Sequence, residues 1–158
     1  MAESGRDIQG HGPAGLYHEA IVKVAHRGCG SGRLETPDAS VSIDNPLCGD
    51  RVTMDVQMGD GYLRGVAHQV RGCLLCEAAA SVIAANAVGE TVAELLAVEE
   101  ALRGALAGGF NGRHMPWQDL AMFAPVAGYR SRHRCVTLAF EALASAMALA
   151  LDEPGKGG

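Results

Sequence analysis

Apolar and polar residues alternate strictly along RVTMDVQM (51–58), with Val52, Met54, Val56 and Met58 on one side and Arg51, Thr53, Asp55 and Gln57 on the other. A period of two marks a strand with one buried face. The GDG that follows (59–61) is a turn signal, and YLRGVAHQV (62–70) reads as the returning strand. SVSID (40–44) supplies a short strand ahead of them. The connections are too short to hold crossover helices, so the three strands are expected to form an antiparallel meander.

The period lengthens on both sides of this meander. GLYHEAIVKVAHRG (15–28) spaces Leu16, Ala20 and Val24 four apart, with Tyr17 and Ile21 beside them, which is one face of an amphipathic helix. RGCGSG (27–32) breaks it. CLLCEAAASVIAANAVG (73–89) is an Ala-rich helix for which Gly89 is a suitable C-cap. Thr91 with Glu94 matches a capping box and opens a helix over VAELLAVEEALRGALAGG (92–109). Pro116 and Pro125 interrupt the stretch 110–129, and a long apolar helix begins at about Ser131. Strands followed by helices predict an α+β fold, a three-stranded antiparallel sheet with helices packed on one face. Polar, Gly-rich residues 1–12 and the last residues, 153–158, are expected to be flexible ends around a domain over 13–152.

The bulk composition narrows the function. A chain of 158 residues suits one domain with one core. Its 13 basic and 18 acidic residues give a net charge of −5, which argues against nucleic acid as a partner. No continuous apolar run reaches the roughly 18 residues that suggest a membrane span. The opening MAESGRDIQGHG lacks the apolar centre of a secretory signal, so the expected location is cytoplasmic. In a reducing compartment five cysteines point to metal binding or catalysis rather than to disulfides.

Position sorts those cysteines. In NPLCGD (45–50), Cys48 lies in a polar turn with Asp50 two residues on, and Gly49 allows backbone angles that turn both side chains inward. Cys73 starts a helix after a strand, and Cys135 lies near the start of the last helix. Cys76, in the Ala-rich helix, reads first as a small buried apolar residue. Cys29, in a Gly-rich loop, reads as a surface thiol. Cys73-Leu-Leu-Cys76 is a C-x-x-C at a strand-to-helix junction, but the βαβ order of a thioredoxin-type redox pair is missing. A zinc ribbon would need a second C-x-x-C, and there is none. Of the six histidines only His133, close to Cys135, is a candidate ligand.

NPLCGD, RGCLLCEAAAS and RHRCVTLAFEAL together resemble the three signature segments of the U-type iron–sulfur assembly proteins, the NifU/IscU/SufU family, and the resemblance runs from about Leu16 to Met147. The interval from Cys73 to Cys135 is longer than in IscU-type members by about one helix, as in the SufU branch. IscU-type members carry a histidine immediately before the last cysteine, where this chain has Arg134, and an L-P-P-V-K chaperone motif, where it has YRSRHRC (129–135). Both departures are similar to SufU. The RGCGSG loop also departs from the Asn-Pro-Arg-like stretch of many relatives, so the partner surface there is expected to differ.

The resemblance implies Cys48, Asp50, Cys73 and Cys135 as metal ligands, with Arg132 as a charge partner and His133 as a supporting residue. It implies a zinc-binding sulfur acceptor that takes persulfide sulfur on Cys48 from a PLP-dependent, SufS-like cysteine desulfurase and passes it to the downstream iron–sulfur machinery. Three thiolates and a carboxylate suit four-coordinate zinc. The same soft ligands suit an iron–sulfur cluster. A scaffold carrying a transient [2Fe–2S] cluster is therefore the alternative, and a structural zinc domain that binds partners is a third.

Overall fold

The computed structural model describes residues 19–152. The ends expected to be flexible, 1–12 and 153–158, and the domain start expected at 13 lie outside the described residues, as do Leu16 and Tyr17. In chain order the elements are α1 (Glu19–Arg27), β1 (Ala39–Asn45), β2 (Asp50–Gly59), β3 (Tyr62–Arg71), α2 (Leu74–Asn86), α3 (Val92–Gly108), two 3-10 segments (Gln118–Gly128 and Arg130–Arg132) and α4 (His133–Asp152).

The strands form one antiparallel sheet in the order β1-β2-β3. Asp60 and Gly61 both take positive φ, 55° and 84°, which lets so short a hairpin follow the twist of its strands. The register shifts between Gln57 and Met58, just before that turn. As the alternation predicts, Val52, Met54, Val56 and Met58 are all buried. Helix α4 lies across β1 and β2, α2 packs on α4 and borders β3, and α1 packs on α2. Leu138, Phe140 and Leu143 of α4 and Leu75 and Ile83 of α2 join the sheet residues in one core. The fold is thus α+β with the helices on one sheet face.

The opposite sheet face has one buried charge. Asp55 is 1% exposed. The Arg33 guanidinium donates to its carboxylate at 2.8 and 3.1 Å, the Leu34 amide at 3.0 Å, and the Ser40 hydroxyl closes the set. Burial raises the cost of the Asp55 charge, but these donors outweigh it and hold the carboxyl below its usual range. The segment after α1 is strapped across the sheet in this way.

Several boundaries differ from the sequence reading. The buried stripe of α1 runs through Ile21 and Ala25, while Ala20 is exposed, so the face is turned by one position. Helix α2 ends at Asn86 with Ala87 as its C-cap, and Gly89 turns the chain two residues later with φ 96°. Pro125 sits inside the 3-10 segment Gln118–Gly128. The capping box is present: the Glu94 amide donates to the Thr91 hydroxyl at 3.1 Å and the Thr91 amide to the Glu94 carboxylate at 2.8 Å. Arg130–Asp152 is long and apolar enough to cross a membrane by length and composition, but 61% of its most apolar window is buried within the fold, as befits a core helix.

Candidate metal centre

The first component of the site is the loop between β1 and β2. Asn45 and Asp50 face each other as the last ladder pair. Inside that closure the Cys48 and Gly49 amides donate to the Asn45 carbonyl at 3.1 and 2.8 Å, and the Leu47 amide to the Asn45 side-chain oxygen at 3.3 Å. Gly49 has φ +74°, where a side chain would strain the backbone. The turn therefore ends on a glycine and reverses direction within two residues. Leu47 is 92% exposed and Cys48 is exposed, whereas Asp50 is only 2% exposed.

The second component is the junction of β3 and α2. The Cys73 amide donates to the Asp50 carboxylate at 3.1 Å, and the Cys73 sulfur lies 3.7 Å from its other oxygen. Gly72 permits this approach, because a Cβ there would collide with the Asp50 carboxylate. Cys73 is the N-cap of α2, so its sulfur stands at the positive end of that helix. Cys76 follows at i+3, on the same side of the first turn, and is buried.

Cys135, in the first turn of α4, completes the set. Its sulfur lies 3.6 Å from that of Cys48. Cys48, Asp50 and Cys135 offer donor atoms within 4.8 Å of one another, and so do Asp50, Cys73 and Cys76. The four sulfurs thus fall into two pairs, Cys48 with Cys135 and Cys73 with Cys76, that share one carboxylate.

The charge in this group is localised. Hydrogen bonds from Cys135 and then Cys76 hold the Cys73 thiol far below its usual range, against the effect of burial and with help from the Cys76 and Leu75 amides. The hydrogen bond to Cys73 pushes the Cys76 thiol up, reinforced by burial. Cys135 is pushed up for the same two reasons, in the same order.

All four ligands expected from sequence, Cys48, Asp50, Cys73 and Cys135, are brought together. Cys76, expected to be an inert buried cysteine, is buried but stands among them. Its signal was the i, i+3 spacing from Cys73 on a helix. His133 is not gathered in: its ring donates to the Ala127 carbonyl at 3.0 Å. Arg132 is half-buried in the 3-10 turn before α4, three residues ahead of Cys135. Cys29 is exposed, and its carbonyl accepts a 2.7 Å hydrogen bond from the buried His68 ring.

The donor set fits a soft metal. Tetrahedral zinc with zinc–sulfur bonds of about 2.3 Å places its sulfurs about 3.8 Å apart. The 3.6 Å between Cys48 and Cys135 and the 3.7 Å between Cys73 and Asp50 match that scale. Thiolates in the same positions also suit an iron–sulfur cluster.

Comparison with known proteins agrees. The profile of the NifU-like N terminal domain matches residues 16–136. The iron–sulfur cluster assembly scaffold protein IscU of Thermotoga maritima is 26% identical over 84% of this chain and 92% of its own length. The zinc-dependent sulfurtransferase SufU of Bacillus subtilis is 22% identical over 68% of this chain and 74% of its own. The crystal structure of the N-terminal part of a nitrogen-fixing NifU-like protein from Brucella abortus superposes with a TM-score of 0.79 at 31% identity, covering 87% of this chain and 96% of that one. The chain belongs to the NifU-like N-terminal domain family, the U-type proteins of iron–sulfur cluster assembly.

Proposed function

We propose that this protein is a SufU-type, zinc-dependent sulfur acceptor in the cytoplasm, taking persulfide sulfur on Cys48 from a PLP-dependent cysteine desulfurase and yielding it to downstream iron–sulfur assembly. The observation that carries the reading is the asymmetry of the four sulfurs. Cys48 alone is exposed, on a Gly-ended turn, while Cys73, Cys76 and Cys135 stand behind it. Arg134 in place of a histidine before Cys135, and the missing chaperone motif, support the SufU assignment.

Zinc, when bound, keeps its sulfur ligands deprotonated at neutral pH. This matters because an unassisted thiol with a pKa of about 8.5 is only about 3% thiolate at pH 7. Asp50, Cys73 and Cys135 hold the site from the sheet and two helices, and Cys48 swings out. Its thiolate attacks the outer sulfur of the donor persulfide. A new S–S bond forms at Cys48, the donor S–S bond breaks, and the donor cysteine leaves as a thiolate, so no outside oxidant or reductant is needed. Leu47, beside Cys48, offers the desulfurase an apolar contact.

The test is elemental analysis of the purified protein together with a desulfurase assay. The expected result is about one zinc per chain, a colourless protein, and acceleration of the desulfurase. Chelation should lower the melting temperature by about 10 °C, since tight binding to the native state contributes about 4 kcal/mol of stability. Zinc without acceleration would favour a structural zinc domain that binds partners. An oxygen-labile coloured cluster after anaerobic reconstitution, with no sulfur on Cys48, would favour the scaffold reading, to which the four neighbouring sulfurs also lend support.

A further inference from the structure

Departure of Cys48 creates a problem for the metal. Of the four ligands that the family pattern provides, only Asp50, Cys73 and Cys135 remain when Cys48 is engaged with a partner. The structure holds a fifth donor in reserve. The Cys76 sulfur lies within 4.8 Å of both the Cys73 sulfur and an Asp50 carboxylate oxygen. It is buried, so no solvent exchange or side-chain search is needed to present it. Its place is in the first turn of α2, one turn beyond Cys73, on a helix whose Leu75, Ala79 and Ala80 are buried in the same core. An inert core cysteine would be surrounded by aliphatic groups, whereas this one faces a thiol and a carboxylate.

We propose that Cys76 is a metal ligand that takes the fourth place when Cys48 departs, so that Cys73, Cys76, Cys135 and Asp50 keep the metal while Cys48 carries sulfur. The purpose of the exchange rests on the sulfur-acceptor reading; the ligation itself does not. Cys48, which is exposed, and Cys76, which is buried, alternate as the fourth donor. The exchange moves no electrons, and Cys76 gives its thiol proton to water as it becomes a thiolate. The device retains the metal through repeated sulfur loading and confines it to the protein while the site is open.

The decisive variant is Cys48→Ser, which leaves Cys76 and the core intact. It is loaded with Zn²⁺ and its sulfur ligands are counted by X-ray absorption at the zinc edge, with Co²⁺ as a second probe through its thiolate charge-transfer band. The expected count is three sulfurs and one oxygen, with one metal per chain. Adding Cys76→Ala should reduce the count to two sulfurs and weaken binding at least tenfold in competition with a chelator. Two sulfurs in Cys48→Ser, or no metal bound at all, would overturn the proposal. Failure of the sulfur-acceptor reading looks different: unmodified protein that takes no sulfur from a desulfurase, while Cys48→Ser still counts three sulfurs, retires that reading and leaves Cys76 as a ligand.

Discussion

The sulfur of Cys135 lies 3.6 Å from that of Cys48, across 87 positions of sequence. The two ends of this contact are anchored very differently. Cys135 is buried in a core helix, and Cys48 rides on an exposed turn. Cys48→Ser should therefore abolish the persulfide that mass spectrometry detects after incubation with a desulfurase and cysteine, while the metal-free protein unfolds within about 0.5 kcal/mol of the parent. Cys135→Ser should cost about 1–3 kcal/mol in urea unfolding, because a hydroxyl is costlier to bury than a thiol in a site that Cys135 shares with the core. Equal stability losses in the two variants would contradict the asymmetry.

Asp50 is held in the site by what Gly72 lacks. Because a Cβ at Gly72 would land on the carboxylate, Gly72→Ala should push Asp50 away from Cys73. Zinc affinity, measured by chelator competition, should fall about 10–100-fold, the usual effect of disturbing the groups that orient a ligand. Circular dichroism should show the sheet and helices intact. Unchanged affinity would mean that Asp50 is not a ligand.

His68 gives the metal-free protein a pH dependence of its own. Its ring is buried, one nitrogen donates to the Cys29 carbonyl, and the other, Nδ1, finds no partner among the described residues. Burial lowers its pKa from 6.5, against smaller opposing effects of the Cys29 hydrogen bond and the Glu77 charge. The unfolded chain consequently takes up this proton at a higher pH than the folded one. Stability should fall as pH drops below about 6.5. Urea unfolding of metal-free protein at pH 7.5 and 5.5 should show that loss, and His68→Gln should flatten it. An identical slope in both proteins would assign the effect elsewhere.

The stretch before Cys135 should fail to engage the Hsp70-type chaperone that serves IscU-like scaffolds. YRSRHRC carries three arginines where the resemblance leads one to look for L-P-P-V-K, and Arg134 is committed to Glu141 at 3.1 Å. Stimulation of that chaperone's ATPase by this protein would revive the scaffold reading.

The sheet was legible because β2 is buried on one face, so the period of two survives in the residues themselves. The capping box at Thr91 was legible because both of its bonds are local. The four residues that the family resemblance implies as ligands could be located from the segments around them. The nearness of Cys76 to Asp50 was not legible because α2 is apolar nearly all round: of its 13 residues eight are buried, and burial there has no direction that would single out a polar neighbour. Asp55 was no clearer, since its partner Arg33 is 22 positions away in a segment without periodicity. The role of Gly72 depends on a carboxylate 22 residues earlier, a steric fact that no local pattern encodes. What sequence conceals here is contact between segments that are each unremarkable alone.

The ladder pair of Asn45 and Asp50 ties off the loop that bears Cys48. Any excursion of the thiol is absorbed by rotations in residues 46–49, and nothing beyond that knot has to shift. Movement of the Cys48 sulfur is thus mechanically separate from holding the domain together. Amide hydrogens at Cys48 and Gly49 should exchange with solvent on a far faster clock than those of β2, so the protein can work its moving part through many cycles without its scaffold registering the motion.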